Sequence, residues 1–106
     1  MDRVFKALGS ETRRTLLDRL FETPGLTLSE LAEGLNLRRQ TVTQHLAVLE
    51  EANLLVCQWR GREKLHYLNP MPIAELGHRW IDKFAHSKTA AIVSLKRASE
   101  DKLRDQ

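Results

Sequence analysis

Long apolar runs, paired cysteines and compositional bias are all missing from this 106-residue chain. The single cysteine, Cys57, excludes an intrachain disulfide framework. No apolar stretch is long enough to cross a bilayer and no charged-then-apolar leader opens the chain, so the expectation is a soluble, cytoplasmic protein with no membrane partner. Its five glycines and three prolines sit at isolated joints, which leaves no linker, no low-complexity segment and no repeat to mark a second domain. Also lacking are a Ser/His/Asp order, paired carboxylates and a Gly-rich phosphate loop, so the sequence gives no support for an enzyme or a cofactor. A chain this short suits one domain spanning residues 1–106, with a modest core to which self-association would add stability.

Charge is present but nearly balanced, at a formal +3. Its placement carries more information than its sum, because cations bunch at Arg38 and Arg39 and again from Arg60 to Lys64. A charge run by itself is ordinarily a solvated face. Two basic clusters flanking a helix-turn-helix pattern point instead to a polyanion.

That pattern occupies residues 28–53. Leu28, Leu31, Ala32 and Leu35 form one stripe at helical spacing, and Val42, Leu46 and Leu49 form another, so two helices each bury a single face. Between them the chain turns at Asn36, one of the few residues other than glycine that accept the left-handed backbone. The second helix opens with Arg38, Arg39 and Gln40, and the 3.6-residue repeat puts Arg39, Gln40, Thr43 and Gln44 opposite its apolar stripe. Arginine can hold guanine, and glutamine adenine, through two hydrogen bonds each, so these four residues are the candidate base readers. Thr27 and Glu30 are spaced as a capping box for the first helix of the pair.

Upstream, a short helix over residues 4–8 ends near Gly9, and Ser10 can cap a second helix whose apolar stripe is Leu16, Leu17, Leu20 and Phe21. Thr23, Pro24 and Gly25 break the chain after it. Arg13 and Arg14 fit either a phosphate contact or an ion pair with Glu50 or Glu51. Downstream, residues 54–60 and 64–68 read as two strands joined through Gly61, with the wing as a whole at residues 54–69. Arg60, Arg62 and Lys64 surround the hairpin tip, where two of the three would reach phosphates. From Ile73 to about residue 100 the chain becomes helical again. Leu76, Trp80, Ile81, Phe84, Ile92 and Leu95 give this segment more apolar area than a free tail needs, so with Val4 and Phe5 of the first helix it is assigned to a dimer interface.

Three features have ordinary readings. Glu75, His78, Asp82 and His86 recur at ligand-like steps, a pattern that the polar side of an amphipathic helix also produces, and no metal site is assigned. Cys57 lies on the strand face opposite Val56 and Gln58 and has no second cysteine to resolve an oxidised form, which makes it a packing residue rather than a redox switch. His45, beside Val42, Leu46 and Leu49, fits a packed, hydrogen-bonded histidine.

Nearly the whole chain resembles the ArsR-type winged-helix repressors. VFKALGSETRRTLLDRL resembles their opening helices, LSELAEGLNLRRQTVTQHLAVLEEANLL their recognition region and VCQWRGREKLHYLNP their wing. PIAELGHRWIDKF resembles a branch that lacks the metal ligands. The resemblance implies a mainly α (α+β) winged helix-turn-helix with a two-stranded hairpin and a C-terminal dimerisation helix. It further implies a homodimer that blocks transcription from an inverted-repeat operator in double-stranded DNA and lets go when an effector biases the dimer. Two positions depart from the family pattern: Arg38 stands where a serine commonly starts the recognition helix, and Gln44 replaces a frequent histidine. The alternatives are a winged-helix protein-interaction module without DNA binding and a metal-responsive member of the same family.

Overall fold

The computed structural model describes residues 1–84 and 88–104, with side chains except at 82, 88–91 and 101–104. Those residues fall into two compact units that meet in the chain at Pro72 and Ile73. The first unit holds α1 (Asp2–Leu8), α2 (Glu11–Glu22), α3 (Leu28–Ala32), α4 (Arg39–Glu51), β1 (Leu55–Arg60) and β2 (Glu63–Leu68). Its core is aliphatic. Leu16 and Leu20 of α2, Leu31 of α3, Val42 and Leu49 of α4, and Leu54 are fully buried, each such side chain contributing roughly 1.5–3 kcal/mol. The stripes of α3 and α4 thus bury as their spacing predicts at Leu31, Val42, Leu46 and Leu49, while Leu28, Ala32 and Leu35 are half-buried.

Local sequence sets most of the helix ends. The Ser10 hydroxyl accepts from the Arg13 amide at the start of α2. Thr27 and Glu30 form the reciprocal capping box at α3, and the amide that Thr27 donates to Glu30 is the main reason the carboxyl titrates below its ordinary range. Asn36 takes the left-handed backbone at φ 55°. α3 stops three residues sooner than its leucine stripe suggests, because Gly34 also turns left-handed and ends the helix before Leu35. Arg38 caps α4 without a side-chain hydrogen bond, as the missing serine implies.

Long-range capping comes from α2. At seven and five residues, α1 and α3 are too short to persist alone. Their C-terminal carbonyls are taken up by arginines of α2. Arg13 donates to Ala7 O (2.9 Å) and Lys6 O (2.8 Å), Arg14 to Leu8 O (2.7 Å), and Arg19 to Leu31 O (2.8 Å) and Glu33 O (2.6 Å). The Arg13–Arg14 pair therefore makes neither of the ion pairs considered from the sequence; backbone oxygens are its partners. Arg13 also donates to His45 Nδ1 on α4 at 3.1 Å. Because a guanidinium only donates, Nδ1 must carry the lone pair, which fixes the ring as neutral with its proton on Nε2.

β1 and β2 form an antiparallel pair in the register Leu55↔Leu68 to Arg60↔Glu63. A lone hairpin is marginal in water, and this one is tied down by Leu26. The Leu26 carbonyl accepts from both the amide and Nδ1 of His66 (2.9 Å each), while the Gly25 amide donates to His66 O at 2.9 Å. Gly25 sits at φ +84°, a conformation that favours glycine, and the Tyr67 hydroxyl 3.2 Å from where a Cβ would stand makes the site tight as well. Phe21, expected in the core with the leucines of α2, is instead 76% exposed. It lies at the edge of the stripe and lines an apolar hollow of about 240 Å³ with Leu20, Pro24, Tyr67, Leu68 and Pro70. Val4, assigned to the interface, is buried in the core of its own unit, whereas Phe5 is exposed.

The C-terminal segment is not one continuous α-helix starting at Ile73. α5 (Met71–Leu76) begins two residues earlier, with Pro72 tolerated in its first turn, and is followed by a π-helical turn (Gly77–Ile81), α6 (Asp82–Phe84) and α7 (Lys88–Arg104). The wider turn shifts the periodicity on which the Glu75/His78/Asp82/His86 face depends. Glu75 and His78 are exposed, the Asp82 side chain lies outside the described set, and so does His86. Among the described residues, no helix is long and apolar enough to cross a membrane.

Two expected outcomes follow from the Arg13 network. Arg13→Ala should lower unfolding stability by roughly 2–3 kcal/mol in denaturant titrations, since it orphans α1 carbonyls and His45 together; a loss no larger than that of exposed Arg14→Ala would refute the capping role. Burial, followed by the Arg13 charge, depresses the pKa of His45 below 6.5. The unfolded state then binds the extra proton, so this contribution is complete above the unfolded pKa and is lost as pH falls from there through the folded one. The thermal midpoint should drop between pH 7 and about pH 5.5, and His45→Gln should flatten that slope. An unchanged slope would contradict the assignment.

Candidate nucleic-acid interface

Burial of Val42, Leu46 and Leu49 forces the opposite face of α4 outward. Arg38, Arg39, Gln40, Thr43 and Gln44 are all exposed on its first two turns, the placement that the helical repeat predicts. Two of them have internal partners. The Arg39 guanidinium donates to the Ser29 hydroxyl on α3, and the Thr43 hydroxyl donates to Arg39 O one turn back at 3.0 Å. Thr43 therefore offers a methyl group and acceptor lone pairs outward, not a free proton.

The start of α4 borders a hollow of about 370 Å³ lined by Thr27, Leu28 and Ser29 of the α3 N-terminus, Arg39, and Arg62, Glu63 and Lys64 of the hairpin. Helix and wing cations thus face one concavity, a grouping that residue spacing alone does not supply. Arg60 and Arg62 are exposed at the tip, and Gly61 at φ +63° makes the turn between them. Arg60 pairs with Glu63 at 3.3 Å with both side chains largely in solvent, a contact too weak to withhold the arginine from a phosphate.

Lys64 is differently placed. Its Nζ donates to Glu50 Oε1 at 3.0 Å, and the Cys57 thiol donates to the same oxygen at 3.2 Å. The Lys64 bond is the largest influence holding the Glu50 carboxyl below its usual range, and Glu50 in turn holds the Lys64 ammonium above its own. Burial, with the Glu50 carboxylate beside it, pushes the Cys57 thiol up to about 11. A thiol held that high carries little thiolate at neutral pH, which agrees with the packing reading. The contacts of Glu50 with Lys64 and Cys57, of Ser29 with Arg39 and of His66 with Leu26 join residues distant along the chain and leave no local signal in the sequence.

In the second unit, Trp80 (52% exposed), Ile81 (68%), Phe84, Ile92 and Leu95 present apolar side chains to solvent, while Leu76 is half-buried.

Comparison with known proteins agrees with this geometry. A model of a helix-turn-helix domain matches residues 8–58. The uncharacterized HTH-type transcriptional regulator YuzN of Bacillus subtilis is 39% identical over 87 residues, covering 76% of this chain and 95% of that protein. The transcriptional repressor SdpR of the same organism is 32% identical over 69 residues, 65% of this chain and 76% of that one. Among solved structures, an ArsR-like transcriptional regulator from Rhodococcus sp. RHA1 superposes with a TM-score of 0.72 at 25% identity, over 94% of this chain and 90% of that one. With an outward basic recognition helix, a hairpin wing and these relatives, the chain belongs to the ArsR-type winged helix-turn-helix family, whose members are DNA-binding transcriptional regulators and not enzymes.

Proposed function

We propose that the protein is a homodimeric, cytoplasmic repressor that sets α4 of each protomer into successive major grooves of an inverted-repeat operator. The observation that carries this reading is the run of exposed polar side chains, Arg39, Gln40, Thr43 and Gln44, opposite the buried stripe of α4. Arg39 and Gln44 would read purine edges and Gln40 and Thr43 neighbouring bases, with Arg38, Arg60 and Arg62 on phosphates. Lys64 has a neighbour of its own and is considered below. Half-site centres would lie about one or two helical turns apart, roughly 10 or 20 bp, so that protein and operator share a two-fold axis.

Dimerisation would use the exposed apolar residues of the second unit, Trp80, Ile81, Phe84, Ile92 and Leu95, with Leu76 and with Phe5 rather than Val4 from the first helix. Support comes from the exposure of all of these but the half-buried Leu76, since apolar side chains at such density commonly mark a partner surface. An effector that changes how the two second units pack would change the angle between recognition helices, and the repressor would leave its operator with every base-facing side chain intact. The name of SdpR as a transcriptional repressor favours repression over activation.

On a site selected from random DNA, Arg39→Ala and Gln44→Ala should each weaken binding by about tenfold or more while leaving affinity for a scrambled copy within about threefold. Equal affinity and selectivity in parent and variants, measured by fluorescence anisotropy, would remove α4 as the reading element.

A further inference from the structure

The hairpin is pinned at several points, and their order along it matters. At its base, Asn69 N donates to Leu54 O and Asn69 Nδ2 to Asn53 O, both at 2.8 Å. Halfway along β2, His66 is fixed to Leu26. Closer to the tip lies one further tie, in which Glu50 Oε1, in the last turn of α4, accepts both from Lys64 Nζ on β2 and from Cys57 Sγ on β1. A single carboxylate oxygen thus holds the two strands of the wing to the helix that carries the base readers. Strand alternation and the register Cys57↔His66 and Trp59↔Lys64 put Cys57 and Lys64 on one face of the hairpin, so one acceptor on α4 can reach both.

We infer that Glu50 and Lys64 are positioning residues for DNA binding: Lys64 is a strut from the wing to α4 rather than a phosphate ligand, and the pair sets where the wing tip, with Arg60 and Arg62, stands relative to α4. This rests on the reading that the wing touches the DNA backbone. Without the strut, the last points holding β2 are the His66 tie and the buried side chain of Leu65 beside it. The strand ends beyond them would then move with the tip, and the arginines would meet the phosphates in many geometries instead of one. The charge at position 64 matters here through its partner at 3.0 Å. Reversing both signs should therefore preserve the function, whereas a phosphate contact tolerates no reversal.

The test is a charge swap in the full chain. Glu50→Lys and Lys64→Glu are made singly and together, and each is measured for affinity to the selected operator against its scrambled copy, and for hydrogen exchange of the β1 and β2 amides without DNA. The strut predicts that each single change lowers the specificity ratio by about tenfold and speeds exchange in the wing, and that the double change restores both to within about threefold of the parent. A double variant that binds as weakly as Lys64→Glu, although its wing protection has returned, would overturn the inference and give Lys64 to a phosphate. Wing protection unaltered in both single variants would overturn it as well. Arg62→Ala separates the underlying reading. If its salt dependence matches the parent's, the wing does not contact phosphate, and hydrogen exchange still decides whether Glu50 and Lys64 hold the hairpin.

Discussion

One helix of this protein must serve two surfaces at once, and the rest of the first unit is arranged to hold it still. α4 buries Val42, Leu46 and Leu49 in the core, so its rotation is set by the core, and the outward direction of Arg39, Gln40, Thr43 and Gln44 follows. Rotating the helix by one residue, about 100°, would expose valine and leucine and bury arginine, which neither burial nor charge permits. The geometry of reading is thus a by-product of packing.

What fixes the neighbours of α4 is less obvious, because α1 and α3 cannot hold their own shape. The arginines of α2 supply what those helices lack. Each presents several donors in a rigid plane, so Arg13 can collect two carbonyls at the end of α1 and still reach His45 on α4. Arg19 does the same at the end of α3. Lysine could not replace them, since it offers a point charge where a fork is needed. The wing is held by the same economy of means: the Leu26 carbonyl and the Glu50 carboxylate each accept two hydrogen bonds from the hairpin.

Features that depend on near neighbours were legible in the sequence. The Ser10 cap, the Thr27/Glu30 box, the left-handed Asn36 and the uncapped Arg38 are all decided within three or four residues, and so is the stripe of α4. The strand-forming residues on either side of Gly61 placed each wing strand to within a residue. Contacts across the chain were not legible. A backbone carbonyl has no letter in a sequence, so the partners of Arg13, Arg14 and Arg19 could not be read, whereas an acidic side chain such as Glu50 could. Glu50 itself lies fourteen residues from Lys64, and Leu26 forty from His66. Phe21 shows a different limit. Helical spacing puts it beside the core stripe, but the backbone turns away at Thr23 and nothing covers the ring within its own unit. The π turn after Leu76 likewise leaves no mark in the pattern of apolar residues that a 3.6-residue repeat would notice.

If α4 of a symmetric dimer reads sequence, selection of bound fragments from a random DNA pool should enrich an inverted repeat that binds two protomers, with a preference over a scrambled copy of about 10³ or more that persists as rising salt weakens both. A pool that enriches no sequence, or a winner without two-fold symmetry bound by one protomer, would contradict it.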